Sequence, residues 1–181
     1  MIVALAGRRV DAVDSKESRF APTKETVQVV RQRIRTLLET QSAIGLVSSA
    51  ACGADLLALS EAGSLGLRRR VVLPYDRWKF RATSVTDRPG DWGFLYDKVL
   101  DEVEKSGDLL VIQPNSEDNA YAQTNHVIVD EARALGLQLH QAVTAVLVWD
   151  KKSRGEGDLT EEFANYARTK GIPIVDVPTT S

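Results

Sequence analysis

The chain has little of the residues that form covalent cross-links or metal sites. It contains one cysteine, two histidines and one methionine in 181 residues. Because Cys52 is the only thiol, no disulfide can form within the chain, which favours a reducing, cytoplasmic compartment. His126, His140 and Cys52 stand at spacings that match no metal-site signature. We therefore expect no metal and no resident cofactor.

Charge of one sign and long apolar runs are also missing. Lysine and arginine total 23 against 25 aspartates and glutamates, a formal net charge of -2, which counts against a nucleic-acid partner. No apolar run approaches the roughly 20 residues that cross a bilayer, and the first one lacks the basic leader and cleavage site of a signal peptide. At this length, without repeats or linkers, we expect one domain, residues 1–181, and no membrane contact.

Short apolar runs alternate with amphipathic segments along the whole chain. Such runs are typical of strands buried on both faces, and the segments between them have apolar residues at helical spacing. The apolar runs are residues 2–6, 44–47, 71–73, 108–112, 143–149 and 172–177. This alternation predicts an α/β fold: a three-layer, Rossmann-like domain with a mostly parallel sheet of about six strands and helices on both faces.

Two polar stretches beside the third strand are interpreted as irregular. Residues 68–70 are three arginines at the entry of that strand, which is typical of a solvated turn, with phosphate contact as the alternative. Residues 75–85 follow its exit and mix aromatics with cations. This mixture suits stacking plus phosphate contact, or else Trp78 and Phe80 simply pack the loop against the protein.

Candidate ligand-binding residues cluster at the ends of the predicted strands. In open parallel sheets the ligand lies beyond the carboxyl ends of the strands, and here those segments are rich in glycine, arginine, serine and aromatics. Within residues 46–57 a strand passes through small residues into a helix, where free backbone N–H groups suit phosphate; a plain turn is the alternative. The candidates are Gly7, Arg8, Arg9, Ser48, Ser49, Cys52, Gly53, Ala54, Asp55, Pro74, Tyr75, Phe80, Arg81, Asn119, Tyr121, Asn125, Trp149, Gly155, Gly157 and Thr160.

Two side chains of the turn at residues 46–57 have competing roles. Cys52, near a helix N-terminus, suits a nucleophile, but no base is adjacent in sequence, and a small buried thiol is favoured. Asp55 suits either a ribose hydroxyl or a cap of its own helix. The sequence leaves the role of Asp55 open.

The first loop opens with two arginines directly after a buried strand. Successive side chains at a strand end alternate in direction, so we expect one of Arg8 and Arg9 to face the ligand. Arg19 and Phe20, later in this loop, would fold over it. The alternative is that both arginines pair with nearby carboxylates of the same loop, such as Asp11.

Three motifs resemble the SLOG superfamily of Rossmann-like nucleotide-binding proteins. Residues 6–11, AGRRVD, resemble its GHR opening, with arginine in place of the usual histidine at Arg8, so that Arg9 matches the arginine of the motif. Residues 48–55, SSAACGAD, resemble its small-Gly-x-Asp turn, which the DNA-processing protein A fold also has. The third motif, Gly155 and Gly157 with Thr160, is similar to the glycine-threonine loop of the lysine-decarboxylase-like phosphoribohydrolases.

The resemblance implies a Rossmann-like fold that binds a nucleotide or a nucleotide-derived ligand. Some members sense this ligand beside an effector protein, and others cleave the N-glycosidic bond of nucleoside monophosphates. Here two residues separate Gly157 from Thr160, whereas that signature has none, so its catalytic glutamate does not transfer to Glu161 or Glu162. We therefore expect a sensor or signalling module, with an effector protein or a second copy of the chain as compatible partners. A phosphoribohydrolase and a single-strand DNA-binding protein are the alternatives.

Overall fold

A computed structural model describes residues 1–180, in which strands and helices alternate. The strands are β1 (Ile2–Gly7), β2 (Gly45–Ser48), β3 (Arg68–Leu73), β4 (Leu109–Val111), β5 (Val143–Trp149) and β6 (Ile174–Pro178). The helices are α1 (Lys24–Thr40), α2 (Ala54–Ser64), α3 (Arg77–Ser84), α4 (Trp92–Lys105), α5 (Ala120–Leu139) and α6 (Leu159–Thr169). The predicted domain, residues 1–181, extends one residue beyond the described part.

The strands form one parallel sheet in the order β4-β3-β2-β1-β5-β6. The chain builds outward from β1 to β4 and then crosses to the other side of β1 to place β5. The strand order therefore reverses between β1 and β5. In parallel sheets the crevice beyond this reversal is where ligands bind.

Each face of the sheet is covered by its own set of helices. Val3 and Leu5 of β1 belong to a core with apolar residues of α1, α2, α3 and α4. Ile2 and Ala4 point to the opposite face and pack with α5 and α6. This alternation along one strand produces three layers, so the predicted α/β, Rossmann-like architecture is confirmed.

A helix, α3, occupies most of the segment after β3 that was expected to be irregular. Asp76 caps it, with its carboxylate accepting the backbone N–H groups of Trp78 at 3.0 Å and Lys79 at 3.1 Å. Phe80 is buried under the helix, whereas Trp78 is 66% exposed. The capping aspartate is a local signal for this helix that the mixture of aromatics and cations obscured.

The arginine run belongs to β3 itself, which corrects the expected turn. Arg68 and Arg70 both donate to the buried carboxylate of Asp108, at 2.9 Å. Arg69 pairs with Glu102 at 2.8 Å. Burial acts to raise the pKa of Asp108, but the hydrogen bonds and charges of Arg68 and Arg70 outweigh it and lower that pKa. Acidic partners from neighbouring elements thus allow three cations to lie in a strand.

Within residues 1–180, no helix has both the length and the apolar character needed to cross a membrane.

Candidate functional site

A cavity of about 640 Å³ lies at the carboxyl ends of β1 and β2, beside the reversal in strand order. Its volume is within the range of small-molecule sites. Its walls also include parts of α3 and α5, the first loop and the segment that begins α6. The sequence candidates that line it are Gly7, Arg8, Arg9, Ser49, Asp55, Phe80, Tyr121, Asn125, Gly157 and Thr160.

The other sequence candidates do not line this cavity. These are Ser48, Cys52, Gly53, Ala54, Pro74, Tyr75, Arg81, Asn119, Trp149 and Gly155. Some of them are engaged elsewhere: Arg81 pairs with Asp97 of α4 at 2.9 Å, and the Trp149 indole N–H donates to Asp176 of β6 at 2.8 Å. Position after a strand therefore does not by itself bring a side chain to the cavity.

Gly53 is required by the backbone that packs against it. Its φ is 98°, in the region that favours glycine, and an added Cβ would lie 2.8 Å from both the Arg8 carbonyl oxygen and the Val10 nitrogen. The Ala54 N–H donates to the same Arg8 carbonyl at 3.1 Å. The first loop therefore occupies the space where the turn was expected to admit a phosphate, and this expectation is corrected.

Arg8 is the centre of a buried ionic network. It is 2% exposed, and its Nε donates to Asp150 at 3.1 Å. Its two terminal nitrogens donate to the two carboxylate oxygens of Asp158 at 2.7 and 2.8 Å, and one of them also to the Lys152 carbonyl at 2.6 Å. All three guanidinium nitrogens thus donate to groups of the protein. Arg8 thus pairs with carboxylates, as the alternative held, but these lie far away in sequence and not within the first loop.

Asp158 fills the N-terminus of α6 with the chain's own negative charge. Its carboxylate accepts the backbone N–H groups of Thr160 at 2.9 Å and Arg154 at 2.8 Å. Burial acts to raise the pKa of Asp158, but hydrogen bonds from Arg8 and from backbone N–H groups outweigh it and lower the pKa to about 2. A helix N-terminus beside an arginine is a place where a phosphate binds. Here a carboxylate takes that place, so the glycine-threonine loop is closed around an internal anion.

Arginine and lysine side chains nevertheless dominate the charged part of the cavity. The cations that line it are Arg8, Arg9, Lys16, Arg19, Arg88 and Arg154, and the carboxylates are Asp11, Glu17, Asp55 and Asp158. Burial is the main cause that lowers the pKa of Arg154, and the charges of Arg8 and Arg19 add to it while those of Asp158 and Asp150 oppose it. An anion that bound here would relieve the repulsion between these arginines.

The guanidinium of Arg9, a residue that lines the cavity, is only partly paired within the protein. One terminal nitrogen pairs with Asp87, which also lies 3.7 Å from Arg88. The Arg9 Nε is buried and has no hydrogen-bond partner among the described residues. Arg9 therefore differs from Arg8, whose guanidinium is occupied by the protein.

The remaining part of the lining is apolar and aromatic. Phe80 of α3 and Tyr121 of α5 contribute rings, and Ile128 and Leu159 contribute aliphatic surface. The Tyr121 hydroxyl lies 2.9 Å from that of Ser84, which ties α5 to α3. The cavity can therefore hold a planar apolar group and an anionic group together.

Asp55 is the cavity's most perturbed carboxyl group. It is 8% exposed, and its Oδ2 accepts the Ala51 N–H at 3.2 Å, which holds the turn before α2. Burial raises the pKa of Asp55 to about 7, although the Ala51 N–H, the Ser48 hydroxyl and the charge of Arg9 all oppose this shift. The Ser48 Oγ itself is buried and has no hydrogen-bond partner in the described part of the chain. Near neutral pH the carboxyl group is thus close to half ionised.

Phe20 of the first loop and Cys52 of the neighbouring turn are both buried. Phe20 is fully buried in the core, so it does not fold over the cavity as expected, whereas Arg19 does line it. Asp11 accepts the N–H groups of both residues, at 3.0 and 3.1 Å, and so fixes the loop. Cys52 is also buried, and burial raises the pKa of its thiol against the opposing charge of Arg9. This agrees with the favoured reading of Cys52 as a small buried thiol.

Glu161 and Glu162 lie in a separate cleft of about 360 Å³ that does not include the apolar wall. Glu162 accepts a hydrogen bond from Asn125 at 3.1 Å and also contacts His126. Glu161 contacts the Ser153 hydroxyl. Polar neighbours thus hold both glutamates outside the lining of the main cavity, although the cleft adjoins that cavity at Gly157 and Asp158, and Asn125 links Glu162 to its edge.

Several lining cations escaped the sequence reasoning. Lys16, Arg88 and Arg154 belong to loops whose position depends on tertiary contacts. The available signal was the abundance of arginine in segments that follow strands. That signal does not distinguish a cavity residue such as Arg88 from an outward-facing one such as Arg81.

Comparison with known proteins finds similarity of fold alone. No family model and no curated protein matches the chain. One similar structure is DNA processing protein A from Streptococcus pneumoniae, with 15% identity, 96% of this chain and 57% of that chain covered, and a TM-score of 0.41. Another is the Moco carrier protein of Chlamydomonas rheinhardtii, with 15% identity, 96% and 88% covered, and a TM-score of 0.36. The chain thus spans little more than half of the first protein's length. The Rossmann-like fold that the SLOG resemblance implied is the fold that the sheet has.

Proposed function

We propose that this chain binds a nucleotide or a nucleotide-derived anion in the cavity at the carboxyl ends of β1 and β2, as a sensor module. One observation carries the proposal. A cavity of about 640 Å³ at the reversal in strand order combines six arginines and lysines with an aromatic wall. A nucleotide has the same two parts, a phosphate and a planar base.

The phosphate is assigned to the cations that the protein leaves available. Arg8 is excluded because its guanidinium is occupied by Asp150, Asp158 and a backbone carbonyl. Arg9 and Arg88 share the single carboxylate of Asp87, so positive charge remains there for a phosphate. The planar fork of arginine suits phosphate oxygens.

The base is assigned to the apolar part of the lining. Tyr121 offers half-buried ring surface and Leu159 offers exposed aliphatic surface, whereas Phe80 and Ile128 line the wall but are each only 1% exposed. Aromatic contact of this kind accepts any base, because every base has a π-face. The identity of the base is then set by the polar groups at the edge of the wall, among them Asn125.

Two features favour a sensor over a phosphoribohydrolase. Glu161 and Glu162, the glutamates nearest to that family's signature, lie in the separate cleft. The N-terminus of α6, which would hold the phosphate in that family's arrangement, is filled by Asp158. The size of the cavity favours a small ligand over a nucleic-acid strand. An effector protein, a second copy of the chain and a cytoplasmic location remain predictions.

Thermal unfolding with a panel of nucleoside mono- and diphosphates and cyclic dinucleotides tests the proposal. A compound at 100 times its Kd should stabilise the folded chain by about 2.7 kcal/mol. Arg88→Ala should weaken binding about 10- to 100-fold, since a charge-assisted hydrogen bond contributes about 1.5–3 kcal/mol. The control is Arg133→Ala, which removes an exposed arginine of α5 beside Asp130. If no compound raises the melting temperature, or if both variants weaken binding equally, the proposal fails.

A further inference from the structure

We propose that Asp55 recognises the vicinal hydroxyl pair of a ribose in the cavity and that ligand binding drives a proton off this carboxyl group. This inference rests on the proposed nucleotide function and deepens it. It names the sugar as the selected part of the ligand. It also predicts that binding is coupled to pH, which the charge of the cavity alone does not imply.

One carboxylate oxygen of Asp55 is paired within the protein, and the other is left without a donor among the described residues. Oδ2 accepts the Ala51 N–H at 3.2 Å. Asp55 lines the cavity, and Oδ1 receives no donor from the described residues, nor is it among their fully enclosed unpartnered atoms. An unpaired carboxylate oxygen of a residue that lines the cavity is an acceptor that a ligand hydroxyl can fill.

The sugar is the part of a nucleotide that belongs beside Asp55. Arg9, one of the cations assigned to the phosphate, lies close enough to Asp55 for its charge to oppose the rise in that group's pKa. The aromatic wall assigned to the base is formed by other elements, α3 and α5. The sugar links the phosphate to the base. A phosphate at Arg9 therefore leaves the sugar as the part of the nucleotide that lies beside Asp55. Its 2′ and 3′ hydroxyls are neighbouring uncharged donors that a carboxylate can accept.

Ser48 acts as a positioning residue behind Asp55. It is fully buried, does not line the cavity, and its hydroxyl has no hydrogen-bond partner among residues 1–180. It nevertheless lies close enough to favour the ionised form of Asp55. A small rotation lets this hydroxyl donate to the carboxylate when the proton leaves, which stabilises the ligand-bound form.

The sign of the pH dependence follows from what the ligand donates. Hydroxyl donors favour the carboxylate over the carboxylic acid, so binding lowers the pKa of Asp55 from about 7 and releases a proton. Affinity should therefore rise as pH rises through neutrality. The charge that acts on Asp55 is that of Arg9, which pairs with Asp87 beside Arg88, and burial raises the pKa of the neighbouring Cys52 thiol.

Isothermal titration calorimetry at pH 6, 7 and 8 tests the inference. The probes are the four ribonucleoside 5′-monophosphates and their 2′,3′-dideoxy counterparts, whose phosphates titrate alike and so cancel in the comparison. For at least one base, the ribonucleotide should bind at least 10-fold more tightly than its dideoxy partner at pH 8. This ratio should shrink towards pH 6, and proton release should appear as heat that depends on the buffer.

Variants separate recognition by Asp55 from general electrostatics. Asp55→Asn should bring the ribo to dideoxy ratio close to one at every pH. Ser48→Ala should keep the ratio but move its pH midpoint upward, because the ionised carboxylate loses a donor. Asp14→Asn, an exposed carboxylate of the first loop, is the control and should change neither.

The outcomes distinguish this inference from the proposed function. Equal binding of ribo and dideoxy compounds by the unmodified protein overturns the role of Asp55 and leaves nucleotide binding intact. An Asp55→Asn variant that keeps the ribose preference also overturns it. Absence of binding by all eight compounds to the unmodified protein contradicts nucleotide-monophosphate binding and the ribose assignment together.

Discussion

Replacing Asp55 with asparagine should stabilise the ligand-free protein above neutral pH. The pKa of this carboxyl group is raised from 3.8 to about 7 because it is buried. The folded protein therefore keeps a proton that the unfolded chain releases. Its contribution to stability is fully present below pH 3.8 and is lost as pH rises through about 7. Asparagine has the same shape and does not ionise, so this pH dependence should disappear.

The size of the effect follows from the shift itself. Each pKa unit corresponds to about 1.4 kcal/mol, so a shift of about three units amounts to up to about 4 kcal/mol. The difference in unfolding free energy between Asp55→Asn and the unmodified protein should grow by up to this amount from pH 4 to pH 8. Other titrating groups contribute equally to both proteins and cancel in the difference.

Urea unfolding at five pH values between 4 and 8 measures this difference directly. Asp11→Asn is a matched control, since Asp11 is also buried but accepts two backbone N–H groups of the first loop. That variant should lose stability, by about 1–3 kcal/mol, because buried donors lose part of their partner. Parallel pH curves for Asp55→Asn and the unmodified protein would contradict a raised pKa of Asp55, because they would show that this group titrates alike in the folded and unfolded chains.

Two further predictions concern the fold around the cavity, and a third concerns hydrolysis of the ligand. Arg8→Gln should lower the unfolding free energy, measured by urea denaturation, by about 3–5 kcal/mol, because it leaves Asp158 buried without its cation. An unchanged unfolding free energy would show that the ionic network does not stabilise the fold. Gly53→Ala should destabilise the fold more than Gly66→Ala. Both residues have positive φ, but only at Gly53 would the added Cβ lie 2.8 Å from backbone atoms. Equal melting temperatures of the two variants would contradict this. With nucleoside monophosphates, chromatography should detect no free base from the unmodified protein; base release abolished by Glu162→Gln would show the hydrolase instead.

The architecture was predictable because it depends on pattern alone. Apolar runs that alternate with helical spacing dictate a parallel sheet, and the sheet then places every strand exit at one edge. Helix α3 was missed because few signals mark it. Its capping residue and its one buried ring, Phe80, lie in a segment whose many cations suggested an irregular loop. The arginines of β3 were missed because their partners, such as Asp108, lie about 40 residues away.

The site was predictable in position but not in detail. Arg8 and Arg9 follow the same strand, yet Arg8 is fully paired with groups of the protein, whereas Arg9 is only partly paired. That outcome depends on Asp150 and Asp158, which lie 142 and 150 residues beyond Arg8. Likewise, the role of Gly53 depends on the backbone of the first loop, which packs against it only in the folded chain. No local pattern records such contacts.

The most direct test of the central claim is a titration followed by ¹H–¹⁵N NMR, with the ribonucleoside phosphates as probes. If a nucleotide binds in the main cavity, the amide signals of Arg9, Ser49 and Phe80 should show saturable shifts. These residues lie at the ends of β1 and β2 and on α3. Signals of Glu161 and Glu162 in the separate cleft should shift much less. Shifts confined to that cleft, or no saturable shift with any probe, would contradict nucleotide binding in the main cavity.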